Sequence, residues 1–240
     1  MNRDKAVEYL TPRAHSFGLP LLITILCIAW EVAAPEGSIS RAITIFLFAG
    51  ALALTLHAAE TVKRRRRLAG VVIFLALVLM TYGNSIKDGH TLRGIGELLI
   101  AIPVLTAAFK VIQWISRQPV INGQSVLGGV LVYMLVGLMF AQVYGAIIDL
   151  TPAKDFFCGL QDSQVSQSDR VYFSFSTITT TGFGDFVSCT RFGHALSMSE
   201  AVFGQVYLVT IIALLVGNLG RRRNVGDDED AVDEIADLSA

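Results

Sequence analysis

Long apolar runs bounded by short polar or charged stretches recur six times along this 240-residue chain, at about 17–34, 42–59, 68–84, 94–114, 125–150 and 195–219. About 20 apolar residues in a helix cross the hydrocarbon core of a bilayer. Lipid offers no partner to an open backbone group, so each run is predicted as a membrane helix. Between the fifth and sixth runs the pattern changes. Residues 169–179 are amphipathic and too short to cross, and a glycine-containing loop follows them. The pattern therefore predicts an all-α membrane protein with six transmembrane helices and one re-entrant short helix and loop.

Composition supports this reading. The chain is 53% hydrophobic and only 16% charged, which excludes an ordinary soluble domain. Its net charge of −1 conceals a marked asymmetry. With the N-terminus in the cytoplasm, thirteen of the nineteen basic residues fall on the inner side, including Lys63, Arg64, Arg65, Arg66, Arg67, Arg221, Arg222 and Arg223. Basic residues favour the cytoplasmic face, so both termini are predicted there, in a plasma membrane or a bacterial inner membrane. Reading 17–34 as a cleaved leader, with Val32-Ala33-Ala34 as its processing site, is weakened by Glu31 and would leave the remaining topology unchanged.

Five segments follow from these boundaries: a cytoplasmic N-terminus at 1–16, a four-helix membrane domain at 17–115, a connector at 116–123, a helix–loop–helix unit at 124–220, and a basic then acidic cytoplasmic tail at 221–240. Pro119 and Gly123 interrupt helix in the connector. A connector this short is expected to leave the four-helix domain beside the helix–loop–helix unit of its own chain. The acidic tail reads as solvated. The Lys63, Arg64, Arg65, Arg66 and Arg67 run anchors the topology and has the chemistry to bind anionic lipid headgroups.

The loop after the short amphipathic stretch carries the chemistry. Residues 177–185 read Thr-Ile-Thr-Thr-Thr-Gly-Phe-Gly-Asp. A dehydrated cation needs oxygen ligands, and backbone carbonyls supply them only when successive peptides turn to one axis. That demands alternating signs of φ, which Gly182 and Gly184 tolerate. The string Thr180-Thr181-Gly182-Phe183-Gly184 resembles the selectivity filter of potassium channels. Residues 124–220 resemble that family's two-helix pore module, and the six-run layout resembles the voltage-gated members in topology alone.

The resemblance implies K⁺ sites at Thr180, Thr181, Gly182 and Phe183, with Gly184 as the outer glycine and Asp185 behind the mouth. It implies a homotetramer, since each chain supplies one loop. It implies passive K⁺ conduction, with no cofactor besides the ions in the filter. Phe183 stands where Tyr is more frequent, and Tyr172 can reach Asp185. Ser176 stands where some bacterial members have glutamate, which leaves the filter less well braced. Gly204 stands where the inner helix often has a hinge glycine, and close packing would equally account for it.

Gln205 faces either a water-filled cavity or a neighbouring helix. Glu200 is expected to bond the back of the short helix. Glu31, His57, Glu60 and Glu97 lie near helix ends, where snorkelling to the interface is the expectation. Cys27 is an inert apolar side chain within the first run. Cys158 and Cys189 share the outer side, where a disulfide is favoured over two free thiols.

The fourth run has Lys110 near its inner end and Arg93 outside its outer end, with sixteen residues and no basic side chain between them. A steep voltage sensor needs several charges crossing the field, so steep voltage gating through this helix is not expected. Neither a metal-ligand spacing, a catalytic triad nor a phosphate loop is present in the sequence, and an enzyme or nucleic-acid binder is not expected. Two other readings stay open: a weakly selective cation channel and a non-conducting membrane sensor or scaffold.

Overall fold

A computed structural model describes residues 16–33, 38–59, 63–86, 88–118, 120–151, 156–159 and 165–220. In chain order the helices are α1 (Gly18–Ala33), α2 (Ser38–Ala58), α3 (Lys63–Ser85), α4 (His90–Ser116), α5 (Gly123–Leu150), α6 (Gln167–Ile178), α7 (Arg191–Tyr207), a π-helical turn (Leu208–Ile212) and α8 (Ala213–Gly217). Strands β1 (Phe157–Cys158) and β2 (Val187–Ser188) pair antiparallel, Phe157 opposite Ser188. Among the described residues, His90–Ser116, Gly123–Leu150 and Arg191–Gly217 are long and apolar enough to cross a membrane. Gly18–Ala33, Phe46–Ala58 and Arg67–Gly83 are shorter apolar helices.

Local chemistry fixes the helix starts. At α5 the Asn122 side chain accepts from the Ser125 amide (3.0 Å), and the Ser125 hydroxyl accepts in return from the Asn122 amide (3.4 Å). Ser166 and Asp169 repeat the exchange at α6, with Asp169 favourably placed at the positive end of the helix dipole. Thr190 caps α7 by accepting from the Gly193 amide at 2.9 Å. Helix α4 begins at His90, ahead of the apolar boundary at 94, because its first turn is polar and uncounted by hydropathy. Likewise α3 begins at Lys63, so the basic run lies within the helix and not before it.

Helix α5 is the hub. It packs along α4 on one side and against α1, α6 and the end of the last span elsewhere, while α2 pairs with α1 and α3 with α4. The main core gathers Phe17, Leu52, Val104, Val111, Leu131 and Ile178. A second cluster, purely aromatic, joins Tyr144, Phe156, Phe157, Phe173 and Phe186 around the short strands. The Phe17 amide donates to Gln124 Oε1 at 2.8 Å, tying α1 to the start of α5. Of the first four helices, α4 and α1 pack on α5 and α1 also meets α6, while α2 and α3 pack on α1 and α4. Residues 1–15, Glu60, Pro119 and the tail 221–240 lie outside the described residues, as do the side chains of Lys63, Arg64, Arg65 and Arg66; Arg67 is exposed.

Candidate functional site

Helix α6 stops at Ile178, and Thr179 caps it by donating its amide to the Phe175 carbonyl at 3.2 Å. From there the chain leaves helix with positive φ at every second residue: Thr180 (57°), Gly182 (55°) and Gly184 (76°). Among the described residues Thr180 is the only non-glycine with positive φ. An L-residue in that region costs about 1–2 kcal/mol, so its surroundings must hold it there.

The restraints are hydrogen bonds back to α6. The Thr180 amide donates to the Thr177 carbonyl (2.9 Å) and the Gly182 amide to the Ser176 carbonyl (3.0 Å). The Phe183 amide donates to Ser176 Oγ at 3.3 Å. Thr179 Oγ1 and Thr181 Oγ1 are bonded at 2.8 Å. Ser176 thus meets the loop through both its carbonyl and its hydroxyl, at Gly182 and Phe183. The C-terminal end of α6, negative by the helix dipole, abuts this loop and favours a cation beside it.

Residues 179–185 are all exposed in the single chain. The Phe183 ring is 66% exposed and stacks on Tyr172 with centroids 5.8 Å apart and planes 13° apart. The Tyr172 hydroxyl lies within electrostatic reach of the Asp185 carboxylate. Phe186 turns inward and stacks on Phe173 at 5.8 Å. Cys158 on β1 is joined to Cys189, just past β2, as a disulfide with Cα atoms 5.8 Å apart. Cys27 is a buried free thiol.

Three helices grip α6 from behind. On α5, the Tyr133 hydroxyl donates to the Ile178 carbonyl at 2.8 Å. On α7, Gly204 lies so close to that carbonyl that a Cβ would collide with it. Close packing thus accounts for Gly204, while its neighbour Gln205 is exposed. One turn further on, the helical ladder of the last span loosens into the π-helical turn at Leu208–Ile212. Glu200, also on α7, is fully buried and meets α6 as expected: Ser174 Oγ lies 2.5 Å from Glu200 Oε1 and 2.7 Å from the Gly137 carbonyl. The Tyr144 hydroxyl donates to Glu200 Oε2 at 2.6 Å.

The third grip comes from α4. Glu97 is only 2% exposed, which corrects the snorkelling expectation. It accepts from Arg170 Nη1 on α6 at 2.5 Å, because a charge held this far from water is stabilised only by a partner. Gly145 on α5 makes the space, since a Cβ there would collide with both members of the pair. Half-buried Glu31 on α1 lies within electrostatic reach of Thr44 and Arg170. His57 is exposed. Near the N-terminal end of α4, Arg93 donates to Asp149 at 3.0 Å, and toward its C-terminal end Lys110 donates to Gln113 at 2.6 Å.

Sequence reasoning did not join Arg170 to Glu97, nor Ser174 and Tyr144 to Glu200. A signal existed for the first pair: one acid inside a span and one base inside the short helix, each needing a partner. Among the described residues, no group of three or more His, Cys, Asp or Glu is placed to hold a metal ion.

Residues 132–220 match a protein-family model described as an ion channel. The match starts within α5 and takes in α6, the 180–184 loop and the whole last span. No curated protein and no solved structure matches the chain.

Proposed function

Because residues 132–220 match a family model described as an ion channel, we propose that four copies of the chain surround one pore and conduct K⁺ passively through the 180–184 loop. In this reading the three long apolar helices and the three shorter ones all cross the membrane, α6 is the re-entrant pore helix, and both termini are cytoplasmic. Carbonyls of Thr180, Thr181, Gly182 and Phe183 line the ion sites, with the Thr180 hydroxyl at the inner end and Gly184 at the outer.

The observation that carries the proposal is the positive φ at Thr180, Gly182 and Gly184 immediately after α6. Alternation of this kind turns successive carbonyls toward one side, where they replace a cation's hydration shell. It recurs at a threonine, where it is costly, which argues for selection of the shape and not for a permissive turn. The bonds from Ser176 and the Tyr172–Asp185 contact brace the loop from behind, and the Cys158–Cys189 bridge ties its outer end.

The proposed conduction mechanism follows from multiplicity. Each carbonyl ring binds a dehydrated ion weakly, and ions in adjacent rings repel, so an entering ion displaces the one ahead. Gln205 would face the cavity below the filter, and the inner helix would bend near Gly204 or the π-helical turn beyond it. The basic residues of α4 are confined to its ends and already paired, which supports a channel without steep voltage gating. The Lys63 to Arg67 run would sit among anionic headgroups.

The test is the reversal potential of the reconstituted full chain with K⁺ on one side and Na⁺ on the other. A potential far toward the K⁺ limit is expected. A value near zero with measurable current would instead identify a weakly selective cation channel, and absence of current would leave a sensor or scaffold.

A further inference from the structure

Among the polar groups behind α6, the proton count around Glu200 does not balance for a carboxylate. Ser174 Oγ has one proton and two close oxygens, the Gly137 carbonyl at 2.7 Å and Glu200 Oε1 at 2.5 Å. A carbonyl oxygen can only accept. If Ser174 donates to Gly137, the 2.5 Å contact with Glu200 needs a proton from the carboxyl. If Ser174 instead donates to Glu200, two bare oxygens face each other at 2.7 Å. Only a protonated carboxyl supplies a proton to each short contact of Ser174 and Glu200, with its proton on Oε1 donated to Ser174 and its Oε2 accepting from Tyr144, whose other neighbour, Ser197 Oγ, is farther off at 3.5 Å.

The surroundings agree. The titratable groups facing Glu200 are Tyr144 and, farther off, Tyr133, both on α5. From α6 its hydrogen-bond partner is Ser174. Ser197 on its own helix bonds the Gly193 carbonyl at 2.8 Å and Ser188 of β2 at 3.2 Å. Among the described residues no basic side chain pairs with it. A fully buried carboxylate without a cation is costly, whereas a neutral acid with each oxygen bonded is not.

We propose that Glu200 is a positioning residue that acts as a neutral carboxylic acid, its proton bonding Ser174 so that the pore helix, α7 and the Gly137 turn of α5 stay in register behind the filter. Loss of that proton makes Glu200 and the Gly137 carbonyl compete for the one proton of Ser174. It also puts a bare charge about one turn from Ile178, whose carbonyl ends the pore helix. Raising the pH through the titration of Glu200 then loosens the pore helix, and lowering it does not. The functional part of this inference rests on the channel reading above; the protonation state does not.

The experiment uses the full chain in lipid vesicles and has two arms. Infrared difference spectra between wild type and Glu200→Gln at neutral pH read the carbonyl stretch of a buried protonated carboxyl directly. Potassium flux against pH is measured for wild type, Glu200→Gln and Glu200→Ala. Expected are a protonated-carboxyl band present in wild type and absent in E200Q, and an alkaline fall in wild-type flux that E200Q lacks. The amide keeps flux because it also donates to Ser174 and accepts from Tyr144, while E200A loses about tenfold or more. A wild-type spectrum without the band, or an E200Q that falls with pH as wild type does, overturns the proposal. A silent wild type would defeat the channel reading alone, and the infrared arm would still decide the protonation state.

Discussion

Among the described residues two acids are buried, and they are solved in opposite ways. Glu97 on α4 and Glu200 on α7 both reach α6, at Arg170 and Ser174, one turn apart on the same short helix. Glu97 meets the guanidinium of Arg170, in a notch that α5 opens by having no side chain at Gly145. Glu200 meets only hydroxyls, from Ser174 and Tyr144. The difference teaches that burial alone does not decide the state of an ionisable group. The donors around it bear on it as well: Glu97 has a fixed cation beside it, whereas Glu200 has only neutral hydroxyls, the arrangement from which we infer a protonated acid.

The comparison is most easily broken at the ion pair. Arg170→Ala should cost about 3–5 kcal/mol, since it strands Glu97 and removes the cation that Glu31 also feels. Thermal unfolding of the purified protein would show this as a large drop in midpoint; a drop no larger than that of a surface arginine would mean the pair is not desolvated. Replacing both partners with apolar side chains, as in a Glu97→Leu, Arg170→Met double variant, should recover most of that loss, because a buried pair is often no better than a well-packed apolar contact.

Next in size is Gly145→Ala. Its Cβ enters the space held by Glu97 and Arg170, and a cost of about 1–3 kcal/mol is expected from overpacking. The same change combined with the double variant should cost less, and a chemical-denaturation series reads the coupling. Tyr144→Phe removes one hydrogen bond to a neutral acceptor and should cost about 1 kcal/mol. The smallest effect is assigned to Glu200→Gln, within about 1 kcal/mol of wild type, in contrast to Glu97→Gln, which leaves Arg170 without its charged partner. Equal losses from the two glutamines would erase the distinction.

The loop and the ion pair also differ in how far sequence could reach them. The 177–185 string is local: its shape depends on neighbours within one turn of α6, so Gly182, Gly184 and the threonines announce it. Helix existence was equally legible, because apolar runs and cap residues act over a few positions. Helix ends were less so, as at His90 and Lys63, where polar residues extend a helix that hydropathy stops. The Glu97–Arg170 contact spans 73 positions and depends on the rotation of α4 about α5, which no pattern within either helix records. The snorkelling expectation for Glu97 failed for that reason. Gly204 was visible as a glycine out of place, but its neighbour, the carbonyl that ends α6, was not.

Gly145 carries one more consequence, for how this protein can change over generations. Its missing side chain is room that only a paired acid and base use. Position 145 is therefore not free to acquire a methyl group while 97 and 170 keep their charges, and neither charge can be lost alone without stranding the other. In chains descended from a common ancestor with this one, the three positions should substitute as a set: glycine with acid and base, or a larger residue with two neutral ones. Three residues scattered over three helices would then be inherited as one trait.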